Sequence, residues 1–364
     1  MAGSTFGTNF RITTWGESHG AGLGVVVDGC PAGLSLKETD IQTYLDRRKP
    51  GTSVYTTPRK EADCVQILSG VFEGKTTGTP ISMMVSNTNE HSKDYEALRD
   101  LYRPGHADYT FDQKFGIRDH RGGGRSSGRE TIGRVAGGAV AAKVLAECGI
   151  TLLTYATQIG PVRINSDRFD RNEILSNPFC MPDAEAAKEA ALYLDQCREE
   201  KDSAGGIIEC VITGVPAGVG APVFDKLDAK LAQAIFSIGA VKGFEVGDGF
   251  AVAGANGSSN NDAFIPDGES GQIKKETNHA GGILGGISDG SPIVFRAAIK
   301  PTPSIGREQK TVTRDGKATT ISIAGRHDPI IVPRAVVVVE CMAAVTILDL
   351  MMENLGSRLK NLKK

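Results

Sequence analysis

The residues best suited to chemistry in this chain lie in one run, residues 118–134. It holds five arginines within seventeen residues and a triple glycine at 122–124. Glycines let a backbone approach a ligand closely, and arginine carries a forked charge that is not lost at neutral pH. Ser127 and Glu130 are spaced as a capping box, which predicts a helix start with N–H groups that can bind an anion. A solvated basic loop would not need three consecutive glycines, so the run predicts a site for a multiply charged anion.

Composition limits what that anion can be. The chain has 364 residues, of which 40% are hydrophobic and 23% are charged, and its net charge is −2. A general nucleic-acid binder would be basic overall, so this balance argues against one. Positive charge is instead local, in the run 118–134 and in Arg47, Arg48 and Lys49. We therefore expect a soluble globular protein that binds a small anion.

Cysteine and histidine usage indicates the compartment. Seven scattered cysteines without a C-x-x-C pair predict reduced cytosolic thiols, not a disulfide framework or a zinc site. The six histidines include no H-x-x-x-H pair, so no local metal site is expected. The N-terminus lacks a signal-peptide pattern, and the apolar stretch 330–352 is interrupted by charges and predicts a strand and a buried helix, not a membrane span. We expect a cytoplasmic protein.

Helical and strand patterns mix without a regular βαβ alternation. Glycines inside a helix predicted over 129–148 indicate that another element packs very close to it. A second capping box, Ser35 with Glu38, predicts a helix that ends near Lys49. Further helices are predicted over 183–200 and 225–238, and strands over 24–28, 65–72, 80–86, 206–213, 293–299 and 318–323. This order favours an α+β fold, and without linkers or repeats we expect a single domain over residues 1–364.

Two glycine motifs that suggest nucleotide binding differ from the patterns that such sites require. Residues 70–76 have three residues between their glycines where a phosphate-binding P-loop requires four, and a strand-like segment follows where a helix is needed. We predict a hairpin there. The glycines of residues 20–24 precede a strand where a dinucleotide-binding fingerprint would follow one. Neither a P-loop nor a Rossmann site is expected.

Four polar loops each place a histidine among glycines or charged residues. Their sequences are Gly-Glu-Ser-His-Gly at 16–20, Arg-Pro-Gly-His-Ala-Asp at 103–108, Asn-His-Ala-Gly-Gly-Ile-Leu-Gly-Gly at 278–286 and Gly-Arg-His-Asp-Pro at 325–329. A single loop histidine is more often structural than catalytic. Four such loops in a chain that also carries the arginine run indicate an active site.

Five motifs in register resemble those of the chorismate synthase family. They are the loops at 16–20, 103–108 and 325–329, Arg-Arg-Lys-Pro-Gly-Thr at 47–52, and Arg-Gly-Gly-Gly-Arg-Ser-Ser at 121–127. The likeness covers nearly the whole chain. It implies a monofunctional lyase that converts 5-enolpyruvylshikimate 3-phosphate to chorismate and phosphate, with reduced FMN as an obligatory cofactor and no net redox change. It also implies an α+β sandwich with helices packed between antiparallel sheets, usually assembled as a homotetramer.

The resemblance assigns binding residues that suit this chemistry. The substrate carries two carboxylates and a phosphate, and FMN adds another phosphate, so fixed positive charge is needed. The substrate contacts that it implies are Arg48, Arg129 and Arg134. The FMN contacts that it implies are Arg125, Ser126, Ser127, Gly239, Ala240, Gly285, Lys300, Pro301, Thr302, Pro303, Ser304 and Arg326.

The catalytic roles are likewise implied by the resemblance. His19 is the candidate acid for the leaving phosphate. His106 is the candidate that donates a proton to, or hydrogen-bonds with, the reduced flavin ring. Asp328, with Ser18 and Ser127, is the candidate to accept or relay the final proton.

One position departs from the family pattern. Many relatives carry a second basic residue where this chain has Val54, and that basic pair is tied to NADPH in some members. Arg59 and Lys60 follow nearby and could substitute. We therefore expect NADPH at most as an indirect reductant. No long insertion could hold a separate flavin-reducing activity, so an external flavin reductant is expected.

Two other function classes are open at this point. A non-enzymatic module that binds RNA loops would need aromatic platforms and a basic domain, whereas this chain is 6% aromatic and slightly acidic. A conventional flavin or nicotinamide oxidoreductase would transfer electrons to its substrate. Consumption of NADPH during turnover would distinguish it from a lyase.

Overall fold

Two antiparallel five-stranded sheets enclose a layer of helices. A computed structural model describes residues 3–51, 53–56, 61–87, 99–266, 268, 273–323 and 328–363. The strands are β1 (Thr5–Phe6), β2 (Arg11–Gly16), β3 (Gly22–Asp28), β4 (Val65–Ile67), β5 (Val71–Phe72), β6 (Lys75–Thr76), β7 (Ile81–Ser86), β8 (Thr151–Ile159), β9 (Val162–Arg163), β10 (Gly206–Thr213), β11 (Val241–Val246), β12 (Phe264–Pro266), β13 (Ile273–Lys275), β14 (Ile283–Leu284), β15 (Ile287–Ser288), β16 (Ile293–Ile299), β17 (Gln309–Val312) and β18 (Ala318–Ile321). The helices are α1 (Glu38–Arg48), α2 (Asp108–Phe115), α3 (Thr131–Glu147), α4 (Glu173–Ser176), α5 (Ala184–Glu199), α6 (Leu227–Phe236), α7 (Gly257–Asn260) and α8 (Val332–Asn354).

Strand order confirms the predicted α+β class. One sheet has the order β1-β2-β3-β7-β4 and the other β11-β16-β10-β8-β9, with antiparallel neighbours in both. Burial alternates along β16 and β7, as expected for strands with one face on a core. β5 and β6 form the hairpin predicted over 70–76. The helix layer shields the inner face of each sheet.

The two central helices are α3 and α8. α3 packs on β2 and β3, α8 packs on β8 and β10, and the two helices pack against each other. α8 is the one helix among the described residues that is long and apolar enough to cross a membrane, but 89% of its most apolar window is buried inside the molecule. This apolar stretch is therefore the core of the sandwich.

Glycines in α3 allow the close packing that their presence predicts. A methyl group at Gly133 would come within 2.9 Å of the backbone oxygen of Gly24 in β3. On the opposite face, a methyl group at Gly138 would lie 2.2 Å from Cβ and 2.6 Å from Cα of Cys341 in α8. Both contacts involve backbone that cannot move independently. Glycine at these positions lowers the helix propensity of α3, but it permits the close contacts of a three-layer core.

Gly138→Ala should destabilise the fold more than Gly137→Ala does. Both changes add about 1 kcal/mol of helix propensity, so their difference isolates the contact made by the new methyl group. At position 137 that group meets Cγ2 of the buried Ile12 side chain at 2.9 Å, whereas at 138 it meets the backbone of Cys341, which can move less. Overpacking of this kind costs about 1–3 kcal/mol. Urea unfolding of the two variants measures the difference, and equal stabilities would contradict it.

Several predicted elements begin or end elsewhere, for local reasons. α1 begins at Glu38, so the capping box predicted at Ser35 is wrong. Ser35 pairs with Lys75 in an extended bridge, and the carboxylate of Asp40 instead accepts a hydrogen bond from the backbone N–H of Lys37 at 2.9 Å. The strand predicted over 65–72 is interrupted into β4 and β5. The helix predicted over 183–200 is confirmed as α5.

Candidate active site

The three cations at the end of α1 have different surroundings in the structure. Arg47 makes a two-point ion pair with Glu340 of α8, at 3.0 and 2.7 Å. Lys49 pairs with Asp46 near the surface. Arg48 points inward and is only 1% exposed. Arg47 therefore stabilises the fold, and Arg48 lies in the candidate site.

Arg48 lies in a buried cluster with Asp63 and Arg129. Nη2 of Arg48 donates to Oδ2 of Asp63 at 3.1 Å, and Nη1 of Arg129 donates to Oδ1 of the same carboxylate at 3.2 Å. Glu61 also pairs with Arg129. Burial, reinforced by the nearby Arg334, lowers the pKa of Arg48, and burial raises the pKa of Asp63. Nε of Arg48 is buried without a hydrogen-bond partner among the described residues, an exception to the usual pairing of buried polar atoms.

Arg334, the third arginine of this cluster, brings in Asp328. Nε of Arg334 donates to the backbone oxygen of Arg48 at 3.0 Å, and Nη1 donates to Oδ2 of Asp328 at 2.9 Å. Arg334 lies in the first turn of α8, while Arg48 is the last residue of α1. The structure thus places the predicted catalytic carboxylate beside a predicted substrate arginine.

Asn87 joins the arginine cluster to the loop that carries His19. Its Oδ1 accepts from Nε of Arg129 at 3.0 Å, and its Nδ2 donates to the backbone oxygens of Glu17 and Gly20 at 3.0 and 2.6 Å. Asn87 directly follows β7, the loop directly follows β2, and both strands pair with β3. The first sheet therefore fixes the position of His19 relative to the arginines.

His19 is enclosed by Ser18 and the triple glycine. Oγ of Ser18 lies 3.1 Å from Nδ1 of His19. A methyl group at Gly122 would lie 2.1 Å from the same nitrogen. The sequence predicted that these glycines approach a ligand, and the structure shows that Gly122 approaches the histidine itself. Glycine at this position is thus required for the observed orientation of the ring.

Glu130 connects the cluster of Arg48 and Arg129 to a second cluster, which contains Ala240 and His106. Its Oε1 accepts from Oγ1 of Thr14 at 2.9 Å, and its Oε2 accepts from Nε of Arg134 at 2.7 Å. Arg125 lies beside the same carboxylate and donates to the backbone oxygens of Gly16 and Thr14. One buried carboxylate therefore orients a predicted flavin arginine and a predicted substrate arginine.

Arg134 and Arg48 have different partners. Its Nη1 donates to Oγ of Ser237 at 2.6 Å, and its Nη2 donates to the backbone oxygen of Ser237 at 3.2 Å. Ser237 begins the turn that contains Gly239 and Ala240. The structure places Arg134 beside these predicted flavin contacts, whereas Arg129 and Arg48 share the carboxylate of Asp63.

The serines of the arginine run have local hydrogen bonds. Oγ of Ser127 accepts from the backbone N–H of Arg129 at 3.3 Å, which caps a short 3-10 turn that leads into α3. The side chain of Glu130 does not complete the predicted capping box, because Thr14 and Arg134 hold it. Ser126 is exposed, and its Oγ donates to the backbone of the triple glycine at 2.6 Å.

His106 belongs to a buried charge network at the start of α2. Its Nδ1 lies 2.9 Å from Oδ1 of Asp108. Arg103 makes a two-point contact with the same carboxylate, at 2.8 and 2.7 Å, and Nη1 of Arg118 lies 3.2 Å from it. Hydrogen bonds from Arg103 and His106 hold the pKa of Asp108 well below its usual range despite its burial. The carboxylate is therefore ionised at neutral pH.

The segment that follows β16 packs against the His106 loop. Nζ of Lys300 donates to the backbone oxygen of Gly105 at 2.7 Å. A methyl group at Gly105 would lie 3.2 Å from Cβ of Pro303. The backbone N–H of Lys300 in turn donates to the backbone oxygen of Ala240 at 2.9 Å, and Ala240 adopts an unusual φ of 73°. His106, this segment and Ala240 thus form one continuous cluster.

The second cluster offers groups that suit an anionic flavin nucleotide. Lys300 supplies positive charge, and Oγ1 of Thr302 is buried without a hydrogen-bond partner among the described residues. Pro301 and Ser304 belong to the same segment, and Gly239 is exposed. An unpaired buried hydroxyl beside a lysine and an open glycine turn is consistent with a bound polar group. These residues fit the predicted cofactor.

Gly285, another predicted flavin contact, lies apart from this cluster. Gly285 lies in the turn between β14 and β15, and the backbone oxygen of Gly286 accepts from Leu227 at the start of α6. Ser237 follows the other end of α6. A ten-residue helix is about 15 Å long, so Gly285 is about that far from Ser237. Arg326 lies outside the described residues.

Sequence reasoning missed three residues that hold the site together. Asp63, Asn87 and Arg334 all contact predicted site residues. None lies in a glycine motif, and each reaches its partners across a long sequence separation. Only Arg334 gave a signal, since it interrupts an otherwise apolar stretch near its start.

Comparison with known proteins identifies the family. Residues 10–352 match the family model described as chorismate synthase. A protein named chorismate synthase from Lachnoclostridium phytofermentans is 64% identical over 364 residues, which covers 100% of this chain and 99% of that protein. One from Methanocella arvoryzae is 57% identical over 354 residues, covering 96% and 95%. A crystal structure of a chorismate synthase is 31% identical, with a TM-score of 0.76, and the match covers 96% of this chain and 94% of that one. The chain therefore belongs to the chorismate synthase family and is a lyase.

Proposed function

We propose that this chain converts 5-enolpyruvylshikimate 3-phosphate to chorismate and phosphate by an anti-1,4-elimination, with reduced FMN as cofactor and no net redox change. The observation that carries the proposal is the position of Arg129 and Glu130. Arg129 joins Arg48 and the His19 loop, while Glu130 connects to Arg134 and the cluster that contains His106. Substrate-binding and flavin-binding groups would then lie on two sides of one short segment.

The first cluster is proposed to bind the anionic groups of the substrate. Arg48 and Arg129 carry forked charges that suit carboxylate and phosphate. Within the described residues, the guanidinium groups of this cluster are matched by carboxylates, Asp63 among them. An incoming anion therefore requires one carboxylate to take up a proton or to move. Asp63 is suited to this, because burial raises its pKa.

His19 is proposed to protonate the phosphate as the carbon–oxygen bond breaks. Its ring is oriented by Ser18 on one nitrogen and by the backbone at Gly122. A histidine can supply a proton near neutral pH, which an arginine cannot do. The leaving phosphate would thus find a proton donor next to the groups that bind its charge.

The second cluster is proposed to hold the flavin. The chemistry that bound reduced FMN supplies is temporary electron donation to the substrate ring, which is returned as the hydrogen leaves. Lys300, Thr302 and the turn at Ala240 would bind the cofactor, and Arg125 would lie at its boundary with the substrate. His106 would donate a proton or a hydrogen bond to the flavin ring.

Asp328 is proposed to receive the proton lost from the substrate ring, with Ser18 and Ser127 as relays. Arg334 holds Asp328 next to Arg48, which places a carboxylate beside the substrate-binding groups. In the net reaction the phosphate leaves with the electron pair of the carbon–oxygen bond, and the pair of the broken carbon–hydrogen bond becomes the new double bond. The proton therefore needs an acceptor, and a carboxylate can serve as one.

We also propose the cellular setting that the family implies. The chain would act as a single domain within a cytoplasmic homotetramer and would depend on an external flavin reductant. Val54, where many relatives carry a basic residue, is 71% exposed and offers no charge to NADPH. Arg59 and Lys60, which could substitute, lie outside the described residues. NADPH would then act only indirectly.

Anaerobic turnover tests the proposal directly. The protein is supplied with 5-enolpyruvylshikimate 3-phosphate and a catalytic amount of chemically reduced FMN, and phosphate and chorismate are followed together. We expect equal amounts of both products, in large excess over the flavin, without NADPH consumption. Folded protein that binds FMN but forms neither product would contradict the proposal, and product formation coupled to NADPH oxidation would indicate an oxidoreductase.

A further inference from the structure

We propose that Asp108 is a positioning residue that holds a proton on Nδ1 of His106 and thereby makes Nε2 the nitrogen available to the flavin. This inference rests on the proposed function of His106. The carboxylate side chain of Asp108 is 4% exposed and lies 2.9 Å from Nδ1 of His106. It has no direct role in the reaction and acts through the ring.

The contacts of Asp108 keep it in its charged form. Arg103 donates to both carboxylate oxygens, from its backbone N–H and its side chain, and Arg118 approaches within 3.2 Å. Asp108 is also the first residue of α2, where the helix dipole favours negative charge. An ionised carboxylate can only accept hydrogen bonds, so Nδ1 of His106 must be the donor.

The position of Arg103 shows that the carboxylate, and not the loop, decides this tautomer. Nη2 of Arg103 lies 3.0 Å from Nδ1 of His106. A guanidinium group only donates, so without Asp108 it would donate to Nδ1 and move the ring proton to Nε2. With Asp108 present, both donors point at the same oxygen instead. Removal of one carboxylate therefore reverses the roles of the two ring nitrogens.

This tautomer separates the two roles considered for His106. With the proton fixed on Nδ1, the neutral ring can only accept a hydrogen bond at Nε2. It can donate there only after it takes up a second proton. His106 would then act as a proton donor in its charged form and as an acceptor afterwards.

Nitrogen NMR of the ring tests the proposal without substrate or flavin. The full chain is labelled with ¹⁵N-histidine, and His106 is assigned by the signal lost in His106→Gln. At a pH where the ring is neutral, we expect the wild-type ring to carry its proton on Nδ1. A proton on Nε2 would overturn the proposal. Because neither ligand is present, this result does not depend on whether the chain forms chorismate.

The variant Asp108→Ala provides the second arm. We expect its His106 ring to change to the Nε2–H form, and its turnover to fall by about tenfold or more, up to the roughly 10²–10⁴-fold loss expected for His106→Ala. The double variant should be no slower than His106→Ala alone. Additive losses, or an unchanged tautomer in folded protein, would overturn the proposal.

Asp112→Ala is the matched control. Asp112 is also buried, one turn further along α2, and pairs with Arg314 at 3.4 Å. The substitution removes a carboxylate from the same helix and leaves the contacts of His106 in place. The ring signal and turnover should stay as in the wild type. If Asp112→Ala changed the tautomer as Asp108→Ala does, a general disturbance of α2 would explain both results, and the proposal would fail.

Discussion

Gly122→Ala should lower turnover by about 10²–10⁴-fold, close to the loss expected for His19→Ala, and leave the fold intact. The added methyl group would lie 2.1 Å from Nδ1 and 2.3 Å from Cε1 of His19. Since these atoms belong to a side chain, the ring can move away, and the backbone need not. A displaced ring loses its place beside Ser18 and can no longer protonate the leaving phosphate. An acid–base role of this kind is typically worth about 10²–10⁴ in rate.

Anaerobic turnover and thermal unfolding of three variants measure this effect. Gly122→Ala, His19→Ala and the double variant should show the same low turnover, because the methyl group acts only through the ring. Gly257→Ala in α7 is the matched control. It adds the same methyl group at an exposed glycine with no atom within 4 Å, so turnover should not change and stability should not fall. Wild-type turnover in Gly122→Ala would show that the observed position of His19 is not needed for catalysis.

Local sequence signals predicted the framework of this protein well. The glycines of α3 indicated close packing, and the structure places Gly133 against β3 and Gly138 against α8. The irregular order of helices and strands indicated α+β, and the resemblance supplied the sandwich. Such signals work because helix propensity and alternation depend on neighbouring residues. Ser35 shows the limit, since a long-range bridge to Lys75 overrides its capping pattern.

Sequence motifs supplied the candidate members of the site but not the residues that hold them. The motifs indicated His19, Arg48 and Arg129 as functional residues. They could not indicate that Asn87 connects Arg129 to the His19 loop, because that contact depends on the strand order around β3. They also could not separate Arg134 from the other two arginines. The direction in which each arginine side chain points depends on how α3 packs, and the motifs do not give that packing.

Arg48→Met should both destabilise the fold and weaken substrate binding. Removing one partner of a buried ion pair costs about 3–5 kcal/mol, because the carboxylate of Asp63 then keeps only Arg129. A lost hydrogen bond to a charged ligand is worth about 1.5–3 kcal/mol, which corresponds to a rise of roughly ten- to a hundredfold in KM. Urea unfolding and anaerobic steady-state kinetics measure the two effects separately. Arg48→Lys should recover part of the stability but little of the binding, since it keeps the charge and loses the fork.

Two neighbouring changes show whether charge at this position, and not general damage, controls binding. Lys49→Met removes the same charge one residue along, from a surface pair worth at most about 1 kcal/mol, so KM should stay as in the wild type. Asp63→Asn should change KM in the opposite direction to Arg48→Met. It leaves the arginines with excess positive charge before substrate arrives, so KM should fall. An increase in KM for Asp63→Asn would mean that this carboxylate orients the arginines for the substrate and does not compete with it.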